Sequence, residues 1–218
     1  MSAIDSSVHS APCFLCDVPA DLTFWSSDHF VALVGLGPLV PDYSLIASKY
    51  HTKSMADVPP SIRVEQLAFL SSVRTELERR HGTCLVTEHG RMAVCTDYEH
   101  DTHCFHAHFL AFPGVGDIAD LAMSYFSTVQ HFDDFDKSLR HAATLEEYLF
   151  VSPRSDEFHI FAGPLNIPRQ LARYLVGWRK GCAHKADWKA WPEREQAESM
   201  ARGLRSTFGE SDADPGQN

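Results

Sequence analysis

Two imidazoles stand two residues apart inside an apolar run, in Thr102-His103-Cys104-Phe105-His106-Ala107-His108-Phe109-Leu110-Ala111-Phe112-Pro113. On an extended strand, residues two apart project from one face, so the spacing predicts His106 and His108 side by side, with Leu110 next in the row. A neutral imidazole can ligate a metal, relay a proton or attack an electrophile. An apolar core has no periodic need for such a pair, because histidine is only intermediate in its tendency to be buried and then needs a polar partner. Near the start, Cys13-Phe14-Leu15-Cys16 is a CxxC, which reads as half a zinc site, a redox dithiol or a chance pair. A redox dithiol belongs at the head of a helix, where the dipole lowers a thiol pKa. Here Asp17-Val18-Pro19 follows, with no helical pattern, which favours zinc. Tetrahedral zinc needs four ligands, typically Cys2His2, and His51 and His106 are the candidates for the other two.

The order of these residues carries a resemblance. CxxC is followed by Leu36-Gly37-Pro38-Leu39-Val40-Pro41 running into Ser44-Leu45-Ile46-Ala47-Ser48-Lys49-Tyr50-His51, then by Thr87-Glu88-His89-Gly90, then by His106-Ala107-His108 ending in Pro113. Over about residues 12–115 this resembles the histidine triad (HIT) superfamily, and within it the zinc-containing branch of diadenosine polyphosphate hydrolases and galactose-1-phosphate uridylyltransferase. The resemblance implies an α+β fold, a HIT-like antiparallel sheet with flanking helices, carrying a C-terminal hairpin and helical extension. It implies His108 as a nucleophile toward an α-phosphate, forming a nucleotidyl-histidine intermediate, in a nucleotide hydrolase or nucleotidyltransferase. It also implies a structural zinc on Cys13, Cys16, His51 and His106, the same four that the ligand count suggests. The chain departs from the family pattern at the third motif position, where Leu110 replaces a His or Gln that contacts phosphate. A nucleotide-binding protein with lost or altered catalysis is therefore the alternative. A catalytic zinc enzyme using His89, His100 or His103 is a further reading, and it requires an open coordination position.

Other residues are weighed against plainer roles. Glu88 and His89 line the site from the neighbouring strand, or are a strand end before a turn glycine. Arg173 and Arg169 suit a phosphate, since guanidinium binds it in a bidentate manner, although an arginine on a late helix is more often solvated or salt-bridged. His103 faces away from His106 and His108 on a regular strand. Trp178, Trp188 and Trp191 read as packing residues.

The rest of the chain must position these groups. At 218 residues, with 44% hydrophobic and 22% charged residues, it reads as a soluble globular protein. The formal charge of 19 − 29 = −10 argues against a nucleic-acid coat or an anionic membrane as principal partner. It leaves room for a nucleotide or dinucleoside polyphosphate held locally by amides and imidazoles. No apolar run has the length of a membrane span and the N-terminus lacks a signal pattern, so a cytoplasmic location is expected; the resemblance also allows a homodimer.

The expected organisation is a flexible segment 1–11, a HIT-like domain 12–145, an extension 146–208 packed on it, and a disordered tail 209–218. Strands are predicted at His29–Val34 and Ser44–Ala47, forming a hairpin that leads to His51, and at Cys84–Glu88 and Cys104–Phe112. A helix opening at Pro59-Pro60-Ser61 carries the apolar row Val64, Leu67, Leu70, Val73 and Leu77 until Gly82. Arg91–Asp101 is expected as a loop over the site. A helix at about Asp117–Val129, a hairpin of Tyr148–Val151 with Phe158–Phe161, a helix starting near Pro168 and a last one over about Glu193–Phe208 complete the reading.

Overall fold

The β-branched and aromatic runs pair edge to edge into one sheet. In the computed structural model, which describes residues 13–92 and 106–211, the strands are β1 (Thr23–Ser26), β2 (Phe30–Val34), β3 (Ser44–Ser48), β4 (Cys84–Gly90), β5 (His108–Pro113), β6 (Phe126–Phe132), β7 (Tyr148–Arg154) and β8 (Glu157–Pro164). Their order across the sheet is β1-β2-β3-β5-β4-β7-β8-β6, and every adjacent pair is antiparallel. The helices are α1 (Arg63–His81), α2 (Ala119–Ala122), α3 (Phe135–Ala142), α4 (Leu171–Arg179) and α5 (Arg194–Ser211). The architecture is the expected α+β class. Among the described residues, no helix is long and apolar enough to cross a membrane. The segment 1–11, most of the loop Arg91–Asp101, and His100, His103 and Cys104 lie outside the described residues.

β2 and β3 are buried along their whole length and form the expected hairpin, with Phe30 opposite Ser48 and Leu33 opposite Leu45. The sheet continues without a break into the C-terminal part, because β7 pairs with β4 and β8 with β7. Side chains alternate between faces. Val86, Glu88, Tyr148, Phe150 and Ser152 share the face that α1 covers, where Arg74 Nη1 donates to Ser152 Oγ at 2.8 Å. Thr87, His89 and Leu110 share the other, where α4 packs.

Five expectations need correction. The buried row of α1 is Gln66, Phe69, Leu70, Val73 and Leu77, whereas Val64 is 82% and Leu67 41% exposed. Leu70, Val73 and Leu77 of the expected row stay buried, while Pro60–Ile62 forms a separate 3-10 turn and the helix starts only at Arg63. Gly82 does end it, at φ 87°, a left-handed value that suits glycine. The helix expected over Asp117–Val129 lasts only from Ala119 to Ala122, and Phe126–Phe132 is an edge strand paired with β8. Its Phe, Thr and Val residues fit a pleated surface, and that pairing overrides a weak helical period. The α4 helix begins three residues after Pro168, because Gln170 at φ 54° lies outside helical conformation. Finally, α5 runs to Ser211 and so enters the segment expected as a tail, while Trp178 (58%) and Trp191 (45%) are exposed rather than packed.

Candidate active site and metal centre

A tight turn brings the two cysteines of the CxxC together. Cys16 N–H donates to Cys13 O at 3.0 Å and Asp17 N–H to the same carbonyl at 3.4 Å. The other two candidate ligands arrive through backbone pairing just outside the sheet. Ser48 N–H donates to Ala107 O at 3.2 Å, and Ala107 N–H donates to Thr52 O at 2.7 Å, which holds the segment carrying His51 against the one carrying His106. Sγ of Cys13 and Cys16 and one nitrogen each of His51 and His106 lie within 4.8 Å of one another.

The chemistry of this donor set fits zinc. His51 Nδ1 is 3.2 Å from Cys16 Sγ, and His106 Nδ1 is 3.4 Å from Cys13 Sγ and 3.5 Å from Cys16 Sγ. Zn–S of about 2.3 Å and Zn–N of about 2.0–2.1 Å put ligands on a tetrahedral ion roughly 3.3–3.8 Å apart. The tautomer of His106 agrees: Nε2–H donates to the Ser48 carbonyl at 2.7 Å, which leaves the Nδ1 lone pair for the metal. Ser48 carries no chemical signal in the sequence, so this second contact was not legible there.

His108 is the first residue of β5, two residues beyond His106, which itself precedes the regular strand. The strand expected from Cys104 therefore starts at His108 among the described residues, and the two rings are not simple neighbours in a row. His108 Nδ1–H donates to the main-chain oxygen of His106 at 2.6 Å. That bond fixes the proton on Nδ1 and leaves Nε2 with its lone pair. Burial, with the nearby His106, holds His108 below the usual imidazole range, against the raising effect of that same hydrogen bond.

Leu110, next on the same face, is 4% exposed and lies between Leu45 and Thr87 in the register. The Thr87 hydroxyl opposite it is buried, with no hydrogen-bond partner among the described residues.

The strand β4 separates the two residues read together from the sequence. His89 faces the His108 side and accepts the Ala172 N–H of α4 on Nε2 at 2.9 Å. Burial first, and then proximity to His108, push His89 down to about 3. Glu88 does not line that face. Its Oε1 accepts Met55 N–H at 2.5 Å and its Oε2 accepts the Tyr148 hydroxyl at 2.6 Å, both on the α1 side. The close approach of Tyr148 explains Gly90, since a Cβ there would meet the Tyr148 ring at 2.0 Å. Arg173 is 1% exposed and two of its three guanidinium nitrogens are taken by main-chain carbonyls, Nε by Ala186 at 2.7 Å and Nη2 by Gly37 at 2.6 Å, while Nη1 is buried without a partner among the described residues; it straps the last segments to the turn before β3.

A cleft of about 640 Å³ opens beside Cys16, with Leu15, Val18, Phe24, Trp25, Val31, Lys49 and Arg205 among its walls. Its cations are engaged, Lys49 with the Ser27 carbonyl and Arg205 with the carbonyls of Ala20, Asp21 and Thr23.

Glu88 gives a stability prediction. Burial, outweighing its two hydrogen bonds, raises its carboxyl from 4.5 to about 7. Between those values the folded protein holds a proton that the unfolded chain has lost. Stability from this group is therefore complete below about pH 4.5, falls as pH rises, and is gone above about 7, a loss of about 3 kcal/mol. Glu88→Gln should remove this slope and raise Tm at pH 8 by on the order of 5 °C relative to wild type. Thermal melts of both proteins at pH 5 and pH 8 check it; an unchanged difference between the two pH values would show that Glu88 is ionised in the fold.

The fold and site thus define an antiparallel α+β sheet whose histidine-bearing strand follows directly on a cluster of four Cys and His donors that could hold a metal ion. No family model matches this chain, and no curated protein does. Solved structures similar to it include a HIT-like protein involved in cell-cycle regulation from Bartonella henselae, at 11% identity and TM-score 0.35, covering 46% of this chain and 74% of that one. A Zn-bound histidine triad family protein from Mycobacterium smegmatis is 20% identical, at TM-score 0.32, covering 46% and 73%. Yeast Ap4A phosphorylase Apa2, solved in complex with AMP, is 11% identical, at TM-score 0.41, covering 67% and 62%.

Proposed function

We propose that this chain is a histidine triad-type nucleotide hydrolase or nucleotidyltransferase that works through a nucleotidyl-histidine intermediate at His108. The observation that carries the reading is the 2.6 Å bond from His108 Nδ1–H to the His106 carbonyl, which leaves Nε2 unprotonated on an anchored strand. The Nε2 lone pair forms a bond to the α-phosphorus, and the bond from phosphorus to the leaving oxygen breaks with its electron pair going to the leaving group. Water or another acceptor then attacks the phosphorus, the N–P bond breaks, its pair returns to Nε2, and the acceptor's proton goes to solvent.

Cys13, Cys16, His51 and His106 would hold zinc, and its contribution is structural. Four protein donors complete a tetrahedral shell, which leaves no coordination position for a reacting water. The reading brings with it a nucleotide or dinucleoside polyphosphate as substrate and a cytoplasmic setting, and it is compatible with a homodimer.

One observation favours a second reading, nucleotide binding without turnover: Leu110 is packed in the core where the family places a phosphate-contacting side chain. A single-turnover experiment separates the two. The zinc-loaded protein is mixed with diadenosine tetraphosphate and examined by intact mass spectrometry. An acid-labile adduct of one nucleotidyl group, mapped to His108, is the expected result. Nucleotide binding with neither adduct nor turnover would establish the second reading.

A further inference from the structure

The nucleophile needs a donor for the phosphate oxygen on which charge develops, and Leu110 cannot provide one. The sheet carries another imidazole on the same face, on the adjacent strand. The register of β4 against β5 runs Leu85 opposite Phe112 and Thr87 opposite Leu110. Continued by two residues on each strand, it sets His89 opposite His108, on the same face. The backbone of His89 is held by pairing with Leu149 of β7, and its ring by the Ala172 amide of α4, which donates to Nε2 at 2.9 Å.

A backbone amide only donates, so Nε2 of His89 must be the unprotonated nitrogen. The proton of the neutral ring then sits on Nδ1. The low pKa of about 3 keeps the ring in that state across the working range of an enzyme. His89 is the one residue of β4 that is not fully buried.

Building on the function proposed above, we infer that His89 is a catalytic residue whose Nδ1–H donates to a non-bridging oxygen of the phosphate attacked by His108, supplying from the adjacent strand the contact that Leu110 lacks. No proton is transferred by His89. It stabilises the charge that accumulates on oxygen while the N–P bond forms and the bond to the leaving group breaks. Its ring is fixed before substrate arrives, and such preorganised donors are the effective ones.

The test is the rate at which label from α-phosphate-labelled diadenosine tetraphosphate appears on His108 in the zinc-loaded full chain. His89→Ala should slow nucleotidylation by on the order of 10² to 10³, with zinc content unchanged and nucleotide affinity within a few-fold of wild type. His89→Phe, which keeps the ring shape without a donor, should lose as much and serves if the alanine variant does not fold. His89→Asn retains an N–H near the Nδ1 position but cannot serve Ala172 in the same way. It should recover most of the rate while melting as low as His89→Ala. A purely structural His89 would instead make rate and stability fall together in all three variants. Leu110→His in the His89→Ala background should restore part of the rate, with the Thr87 hydroxyl available as partner for the new ring. A wild-type rate in His89→Ala or His89→Phe, with label still arriving on His108, overturns this assignment and leaves the His108 mechanism standing. Absence of label in the wild-type protein overturns the mechanism itself, and this assignment with it.

Discussion

His108→Asn is expected to lose nearly all turnover, on the order of 10⁴-fold or more, while it folds, keeps its metal and still binds nucleotide. Loss of a nucleophile that acts in one unit with its neighbours removes most catalysis at once. Asparagine can place its side-chain amide where the imidazole Nδ1–H now meets the His106 carbonyl at 2.6 Å, so the local hydrogen bond has a substitute. His108 is the first residue of β5 and is only partly buried, so the variant opens no large cavity. The measurements are steady-state turnover, zinc content, nucleotide affinity and Tm on one preparation. A variant that melts far lower yet turns over at the wild-type rate would make His108 a packing residue, and the covalent mechanism would have to be given up.

Cys16→Ala is expected to lower metal content from one zinc per chain to a small fraction and to reduce Tm by roughly 10 °C or more. A structural zinc contributes its binding free energy to folding, and each kcal/mol moves Tm by about 2–4 °C in a domain of this size. The cluster ties residue 13 to residues 51 and 106, closing long stretches of chain. Among the described contacts, two short backbone bonds, from Ala107 to Thr52 and from Ser48 to Ala107, hold the same junction. Without metal the strand that presents His108 should be less firmly anchored, so activity should fall together with Tm and return on adding zinc to wild type treated with a chelator. Full metal content in Cys16→Ala would refute the four-residue assignment.

Much of the architecture was legible because it depends on short-range rules. Short, continuously buried apolar runs on either side of a Gly-Pro turn mark the β2–β3 hairpin, and the polar turn at Arg154-Ser155-Asp156 does the same for β7 and β8. The clustering of Cys13, Cys16, His51 and His106 was legible because zinc demands a fixed number of soft and imidazole donors, and few residues in the chain satisfy that count in order. The sequence also marked His108, as an imidazole an apolar strand does not need.

What it left undecided depends on neighbours far away along the chain. Glu88 and His89 are adjacent, and only the pairing of β4 with β5 and β7 decides that one meets Tyr148 beneath α1 while the other turns to the opposite face and takes the Ala172 amide. Arg173 reads as a phosphate contact until three carbonyls from distant segments are seen around its guanidinium. Phe126–Phe132 became a strand because β8 offered an unpaired edge, a partner 25 or more residues further on that no local window contains. Composition and spacing determined which groups are available for chemistry. The tertiary structure alone decided which face each one occupies, because a one-residue step along a strand reverses the side chain and only long-range pairing sets that register.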